Sequence, residues 1–443
     1  MKKRIVIGLL ISFINFIVIF GLPSQFMTYD VSQEFMICVA AALVVMIWAQ
    51  IESRHHLFFY QTVWIYFILF GYLIQTGLGV SYISGTVTQV SMTFVGIYLV
   101  HLITLVAASL YLAPVITATE RNPVQNESRR ISLMICAGFL VPVMLGFLVG
   151  WNILLSSRQE FHANENVSST TYFLVLIAKT IPFVLLASIA ENTRERGGLI
   201  PKITFAILLL IAMTFSNPGN TARFLSLSSL VLVALFMVSA SKREQIMANI
   251  ALAFPAVGLI LLPLTSMLRN GFSSVEQALT LDFFGSLEFS ALQAMLDGID
   301  MAAQLSGAQI ISGLLILVPR ALLPWKSEGL GPEIADSSGY VFSNVAVPPI
   351  FAAYVDGGLV GVFIFSIFVA WIFGKYKLVN GRNFHWRRRK NFYSAVIFCS
   401  LPMLARGDFT TYMLSIYAFA ISYEVLRPFG RMVLFRSSSY QGR

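Results

Sequence analysis

Charge is scarce in this sequence. Charged residues make up 12% of the 443, about half of the ~25% that an ordinary soluble chain carries. With 57% apolar residues in long blocks and a mean hydropathy of +0.77, that deficit excludes a soluble globular domain. The blocks run on without alternation, which excludes a transmembrane barrel, whose strands alternate faces. Cysteine is almost absent: Cys38, Cys136 and Cys399 all fall inside apolar blocks and read as neither disulfides nor a metal site. The five histidines, His55, His56, His101, His162 and His385, have no metal-ligand spacing, and His101 reads as a packed helix residue. There is no Asp-x-Asp, so the acids that hold a divalent metal under the diphosphate of a nucleotide sugar are missing. There is no Gly-x-x-x-x-Gly-Lys loop either, so nothing points to ATP hydrolysis. No internal repeat or low-complexity segment occurs.

What is present is a series of apolar runs. They predict an all-α polytopic membrane protein with twelve spans, at about 4–22, 33–49, 57–75, 91–113, 131–150, 170–190, 201–216, 223–240, 246–264, 348–374, 391–405 and 409–427. Residues 1–264 carry the first nine, 265–347 form a long loop, and 348–443 hold the last three and a tail. Met1-Lys2-Lys3-Arg4 leads into an apolar block with no small-residue cleavage pattern, so it reads as a retained first span. The connectors place 23 of the 30 Lys and Arg on one side, which the positive-inside rule makes cytoplasmic. Both termini then lie inside, as an even number of spans requires. The net charge of +9 therefore reports topology and anionic lipid, with Arg387-Arg388-Arg389-Lys390 as its densest run, and no nucleic-acid partner is implied.

Seven cations depart from that bias: Arg158, Lys179, Arg223, Arg269, Arg320, Lys326 and Arg406. Arg158 shares a loop with Glu160 and Glu165 and reads as solvated. Lys179 lies within the sixth span, either as a functional charge or as a side chain snorkelling outward. Arg223 and Arg406 each follow a short span of about 15 residues and sit beside a turn, Asn217-Pro218-Gly219-Asn220 and Gly407 respectively. Each is expected at the start of the next helix, where free backbone N–H groups favour a phosphate and an arginine fork matches its oxygens. The competing reading is a pair of interfacial anchors.

The loop from Thr265 to Val347 carries the strongest signals. Leu292, Met295, Leu296, Ile299 and Ala303 recur at helical spacing with Glu288, Asp297 and Asp300 opposite. This predicts an amphipathic helix lying on the membrane or capping the bundle. Ile310 to Val318 is apolar but far shorter than the ~20 residues of a span, so it is expected to dip into or lie on the membrane. Pro319-Arg320 and Pro324-Trp325-Lys326 follow, placing Arg320 and Lys326 at a water–lipid boundary. They serve there as snorkelling anchors or as a cationic pair for a lipid-linked anion. Residues 327–349, with Glu328, Glu333 and Asp336, read as an ordered loop over the outer face, and a long loop in a compact protein is usually functional.

Four features come in a fixed order: Gly219 to Arg223, Pro-Arg-x-Leu-x-Pro-x-Lys at 319–326, Val355-Asp356-Gly357-Gly358-Leu359-Val360-Gly361, and Arg406-Gly407. In this the chain resembles the bacterial O-antigen and capsule repeat-unit polymerases, the Wzy family, over residues 200–410 in motif and over the whole chain in topology. Arg320 to Gly331 also matches an Arg-x10-Gly spacing of that family. The resemblance implies a multi-pass enzyme of the bacterial inner membrane that joins polyprenyl-diphosphate-linked oligosaccharides on its outer side, without metal or other cofactor. A chain-length-determining co-polymerase is the implied protein partner. By that resemblance Arg223, Arg320 and Arg406 would stabilise the leaving diphosphate. Lys326, Asn220, Trp325 and Asp408 would bind substrate, and Asp336, Glu333 or Asp408 would serve as general base. The other readings are a polyprenyl-sugar transferase using Asp30 and Glu34, an O-antigen ligase differing in its acceptor, and a lipid-linked oligosaccharide flippase. A flippase calls for cations inside the spans, where only Lys179 qualifies.

Overall fold

The computed structural model describes residues 32–79, 87–112, 128–156, 169–196, 199–216, 221–238, 242–243, 245–254, 290–327, 329–340, 345–375 and 384–431. All regular elements among them are helical. Among the described residues five helices are long and apolar enough to cross a membrane: Gln33–Ile51, His55–Gly77, Met92–Tyr111, Thr170–Ala190 and Pro349–Lys375. Four shorter apolar helices join them, Ile135–Val149, Lys202–Phe215, Phe224–Met237 and Gln245–Phe254. The first expected span, 4–22, lies outside the described residues. Large apolar side chains stand exposed at helical spacing on several of these helices, such as Leu140, Met144 and Phe147, or Val360, Phe363, Ile364 and Ile367. Rows of this kind suit hydrocarbon, since a soluble surface rarely exposes such continuous apolar area.

The chain divides into two compact units. The first comprises Met1–Val115, Met247–Lys377 and Leu401–Met413. It contains α1 (Gln33–Ile51), then α2 (His55–Trp64), which runs through a π-helical turn (Ile65–Phe70) into α3 (Gly71–Leu78), and then α4 (Met92–Tyr111). Ser32 and Ser91 cap α1 and α4, each accepting a backbone N–H three residues on, from Phe35 and Phe94, at 3.3 Å; serine at this place satisfies an otherwise orphaned donor. The α2–α3 stretch has apolar side chains on every face and is buried along its length, its Gln61 and Gln75 included, as a helix without a charged face can be.

α4 packs along a later helix of the same unit, Pro349–Lys375, and a polar chain ties the two to α2. The Ser366 hydroxyl gives its one proton to the Val362 carbonyl (2.6 Å), so its oxygen accepts from His101 Nδ1–H (2.7 Å). That leaves His101 Nε2 to accept the Tyr60 hydroxyl (3.1 Å). His101 is thus a fully satisfied packing residue. Stacking of Trp64 on Tyr98, 5.3 Å between centroids and 10° between planes, supports the same seam.

The second unit comprises Ile116–Ile246, Leu378–Ser400 and Leu414–Arg443. It holds α5 (Ser128–Val149), α6 (Trp151–Leu155), α7 (Ser169–Arg196), α8 (Leu199–Phe215) and α9 (Arg223–Met237). Leu154, Val175, Ala178 and Phe215 form its buried cluster, with Trp151 and Phe139 against it. Thr180 and Ser422 share a hydrogen bond at 2.8 Å, and Ser228 donates to the Cys399 carbonyl at 2.6 Å. Lys179 is only 4% exposed. It is buried within α7 and does not snorkel to the surface.

Candidate functional site

The segment that stands out in the sequence belongs to the first unit. After α10 (Gln245–Phe254), it folds as α11 (Ala291–Asp300), α12 (Gln309–Leu314) and α13 (Leu330–Ser338), followed by α14 (Pro349–Lys375). The expected amphipathic helix is present and packs inside the first unit. Leu292, Met295 and Leu296 are buried, and α11 packs against α3, α4 and α13. Its Asp297 accepts hydrogen bonds from Gln293 (2.8 Å), Thr88 and Tyr340, so the polar face finds partners inside the protein. Burial, then that carboxylate, raises the Tyr340 pKa, which keeps the phenol a donor.

After α12 the chain runs through turns to α13. Pro319 and Pro324 prevent a continued helix, since each removes a backbone donor. Leu322 is 71% and Trp325 52% exposed, with Leu317 and Ile311 also outward. Arg320 stands exposed among them, its Nη2 donating to the Ser327 carbonyl at 3.3 Å. Apolar side chains flanking a cation, with a tryptophan beside it, are what a membrane–water boundary selects.

Lys326 is turned inward. Its ammonium donates to the carbonyls of Leu315 (3.4 Å), Ile316 (3.1 Å) and Val318 (2.7 Å), at the end of α12 where carbonyls run out of helical partners; that of Leu315 also accepts the Val318 amide at 2.9 Å. Burial, and next the Arg320 charge, push its pKa below the ordinary lysine value. A cation destabilised in the folded state makes the unfolded state the better proton binder, so the fold gains stability as pH rises towards the ordinary lysine value and loses it as pH falls. Lys326→Met should strand the Ile316 and Val318 carbonyls at about 1–3 kcal/mol for each one left buried without a donor. The measurement is thermal unfolding in detergent, where Lys202→Met, at an exposed position, should change little.

Two carboxylates organise the segment. Glu333 accepts from the Ser306 amide (2.9 Å), the Ser306 hydroxyl, Gln309 Nε2 (3.1 Å) and the Ser327 hydroxyl (2.8 Å). Asp356 accepts the amides of Gln309 (2.7 Å) and Ile310 (2.8 Å), one on each oxygen. α14 is broken just after Asp356, at Gly357 and Gly358. Gly358, at φ 58°, ψ −147°, occupies a conformation essentially closed to other residues. Ala308, at φ 64°, is a strained non-glycine residue directly before α12. Asp356 belongs to a motif that the sequence singles out, yet it is not among the expected site residues; the signal was an acid next to a glycine pair inside an apolar span.

The expected site residues fall out as follows. Arg320, Trp325, Lys326, Glu333 and Asp336 are gathered on this segment of the first unit. Asp336 is exposed on α13 and takes no part in the Glu333 network. Arg223 opens α9 of the second unit, as expected; its side chain and Asn220 lie outside the described residues. Arg406 departs from expectation. It is the last residue of α15 (Phe384–Arg406), not the first of the next helix. α16 (Phe409–Arg431) begins after Asp408, whose oxygens accept the Thr411 amide (3.0 Å) and hydroxyl (2.5 Å). A cation at a helix C-terminus complements the dipole, so the helix-start reasoning for a phosphate does not hold at Arg406. Among the described residues no three of His, Cys, Asp and Glu come together to hold a metal ion.

Comparison with protein-family models, with curated proteins and with solved structures gives no match.

Proposed function

We propose that this protein is a membrane glycosyltransferase that joins oligosaccharide repeats carried on a polyprenyl diphosphate, on the outer side of the bacterial inner membrane. The observation that carries the reading is Arg320, an exposed guanidinium among exposed Leu322 and Trp325, with an exposed carboxylate on the same segment, Asp336, that has no hydrogen-bond partner among the described residues. An acceptor hydroxyl attacks the anomeric carbon of the donor glycan. Its proton passes to Asp336, the bond from that carbon to the diphosphate oxygen breaks, and the lipid diphosphate leaves with the electron pair. Arg320 stabilises the charge that grows on the leaving group, the point at which fixed donors help most. Of the three candidate bases, Asp336 suits the role best, because Glu333 accepts four hydrogen bonds and both oxygens of Asp408 are engaged by Thr411. Arg406 remains a candidate ligand of that diphosphate by the family resemblance alone.

A strain lacking the gene tests the class of reaction. Loss of this polymerase leaves single repeats on the outer lipid carrier. Repeats held on the inner leaflet would instead favour the flippase reading, for which the buried Lys179 speaks. Full-length chains left on their carrier would favour a ligase. Two further results are expected. Reporter fusions at Gly85, Ser168 and Ser338 should report the outer side and those at Asn126 and Asn383 the cytoplasm, because the positive-inside bias sets these sides. An inner reading at Ser338 would place Arg320 in the wrong compartment. Repeat joining by purified protein should also persist in excess chelator, since no Asp-x-Asp is available to hold a metal under the diphosphate. Loss of activity that added metal restores would contradict this.

A further inference from the structure

We propose that Asp356 and Glu333 are positioning residues for Arg320, so that the break in α14 and the cationic edge of the 309–327 segment are held as one unit. Its catalytic consequence rests on the reading of Arg320 given above; the positioning itself does not. The links are all within the first unit. The glycine pair at 357–358 interrupts α14 immediately after Asp356, and the Asp356 carboxylate holds the first two amides of α12, at 2.7 and 2.8 Å. The same Gln309 sends Nε2 to Glu333 (3.1 Å), Glu333 takes the Ser327 hydroxyl (2.8 Å), and the Ser327 carbonyl takes Arg320 (3.3 Å). Ser312 adds a brace by accepting the Ser327 amide at 3.0 Å. Ala308 keeps its unfavourable positive φ at the point where Asp356 grips the chain, and such a conformation persists only where its surroundings over-determine it.

Both carboxylates spend their oxygens on protein donors, which suits them to hold geometry rather than to take a substrate proton. An asparagine at 356 would keep one acceptor and set an NH2 group against the second amide. A glutamine at 333 would do the same to a cluster made of donors. Either change should loosen the segment on which Arg320 sits without touching the outer surface of α14.

The test uses the full chain in lipid nanodiscs with a nitroxide on Leu322→Cys, in a background where Cys38, Cys136 and Cys399 are alanine. Asp356→Asn and Glu333→Gln should each narrow the spectrum at 322, as a more mobile label does. A second label, on Val360→Cys beyond the break, should be unchanged, and Asp336→Asn should alter neither. If one variant fails to accumulate, the other and Gln309→Ala carry the measurement. In the repeat-joining assay Asp356→Asn should lower kcat by about tenfold, the loss of one charged hydrogen bond at the transition state. The double variant Arg320→Lys/Asp356→Asn should be no slower than Arg320→Lys alone, because residues that act through one group are not additive. An unchanged label at 322 in every variant overturns the proposal, and so does full additivity of the two rate losses. A label that loosens in a protein whose wild-type form joins no repeats upholds the positioning and overturns the transferase reading.

Discussion

Arg320→Lys is expected to cost most of the repeat-joining activity while the protein inserts and accumulates normally. The two side chains carry the same charge, but guanidinium presents a planar fork of donors and an ammonium a single charged point. Loss of one charge-assisted hydrogen bond amounts to roughly 1.5–3 kcal/mol, or on the order of 10- to 100-fold in rate where the bond acts only in the transition state. The shorter lysine also gives up the bond to the Ser327 carbonyl. kcat should fall with KM nearly unchanged, since an interaction that matures with the leaving group's charge leaves ground-state binding alone. Arg158→Lys, in the loop that the sequence marks as solvated, is the control. If Arg320→Lys is as mild as that control, Arg320 is a membrane anchor and the diphosphate reading fails.

The second large effect is expected at Gly331, the glycine of the Arg-x10-Gly spacing. A Cβ there would stand 2.1 Å from the Val345 carbonyl oxygen, and a backbone oxygen cannot rotate away as a side chain can. Gly331→Val forces α13 off that strand of chain and with it Glu333 and its four bonds. Overpacking of this kind costs typically 1–3 kcal/mol and on occasion more. The measurable result is rapid proteolysis between α12 and α14 together with loss of activity. Gly307→Val, with no atom within 4 Å of its Cβ, should keep more of both. The spacing therefore has a structural explanation whatever the protein's reaction. It marks where a helix packs directly against backbone.

Among the described residues five of the twelve expected spans meet helices long and apolar enough to cross a membrane, because hydrocarbon imposes length and composition together: the expected 33–49, 57–75 and 348–374 correspond to helices at Gln33–Ile51, His55–Gly77 and Pro349–Lys375. Caps such as Ser32 and Ser91 are local, each bonding a backbone N–H three residues on, though the hydropathy of the spans does not single them out. The contacts within the candidate site are not local. Asp356 meets Gln309 across 47 residues of sequence, and nothing near either one signals the other. Lys326 has the same residue type and sequence neighbourhood as an interfacial anchor, but only the end of α12 turns its ammonium inward. Arg406 misled for a related reason. A turn beside an arginine does not say which helix owns it, and Asp408 with Thr411 supplied the true start of α16. At Asp297 the polar face of the amphipathic helix meets Tyr340 and Thr88, partners distant in sequence that helical spacing alone does not show.

We propose above that Arg320 belongs to a site that transfers glycan from a polyprenyl diphosphate. Purified protein in liposomes, given lipid-linked repeats and no nucleotide sugar, tests it most directly. The prediction is a ladder of lengthening glycans with release of one lipid diphosphate per bond formed, and loss of that ladder with Arg320→Ala. A wild-type protein that forms no ladder, or an Arg320→Ala protein that forms an equal one, would contradict it.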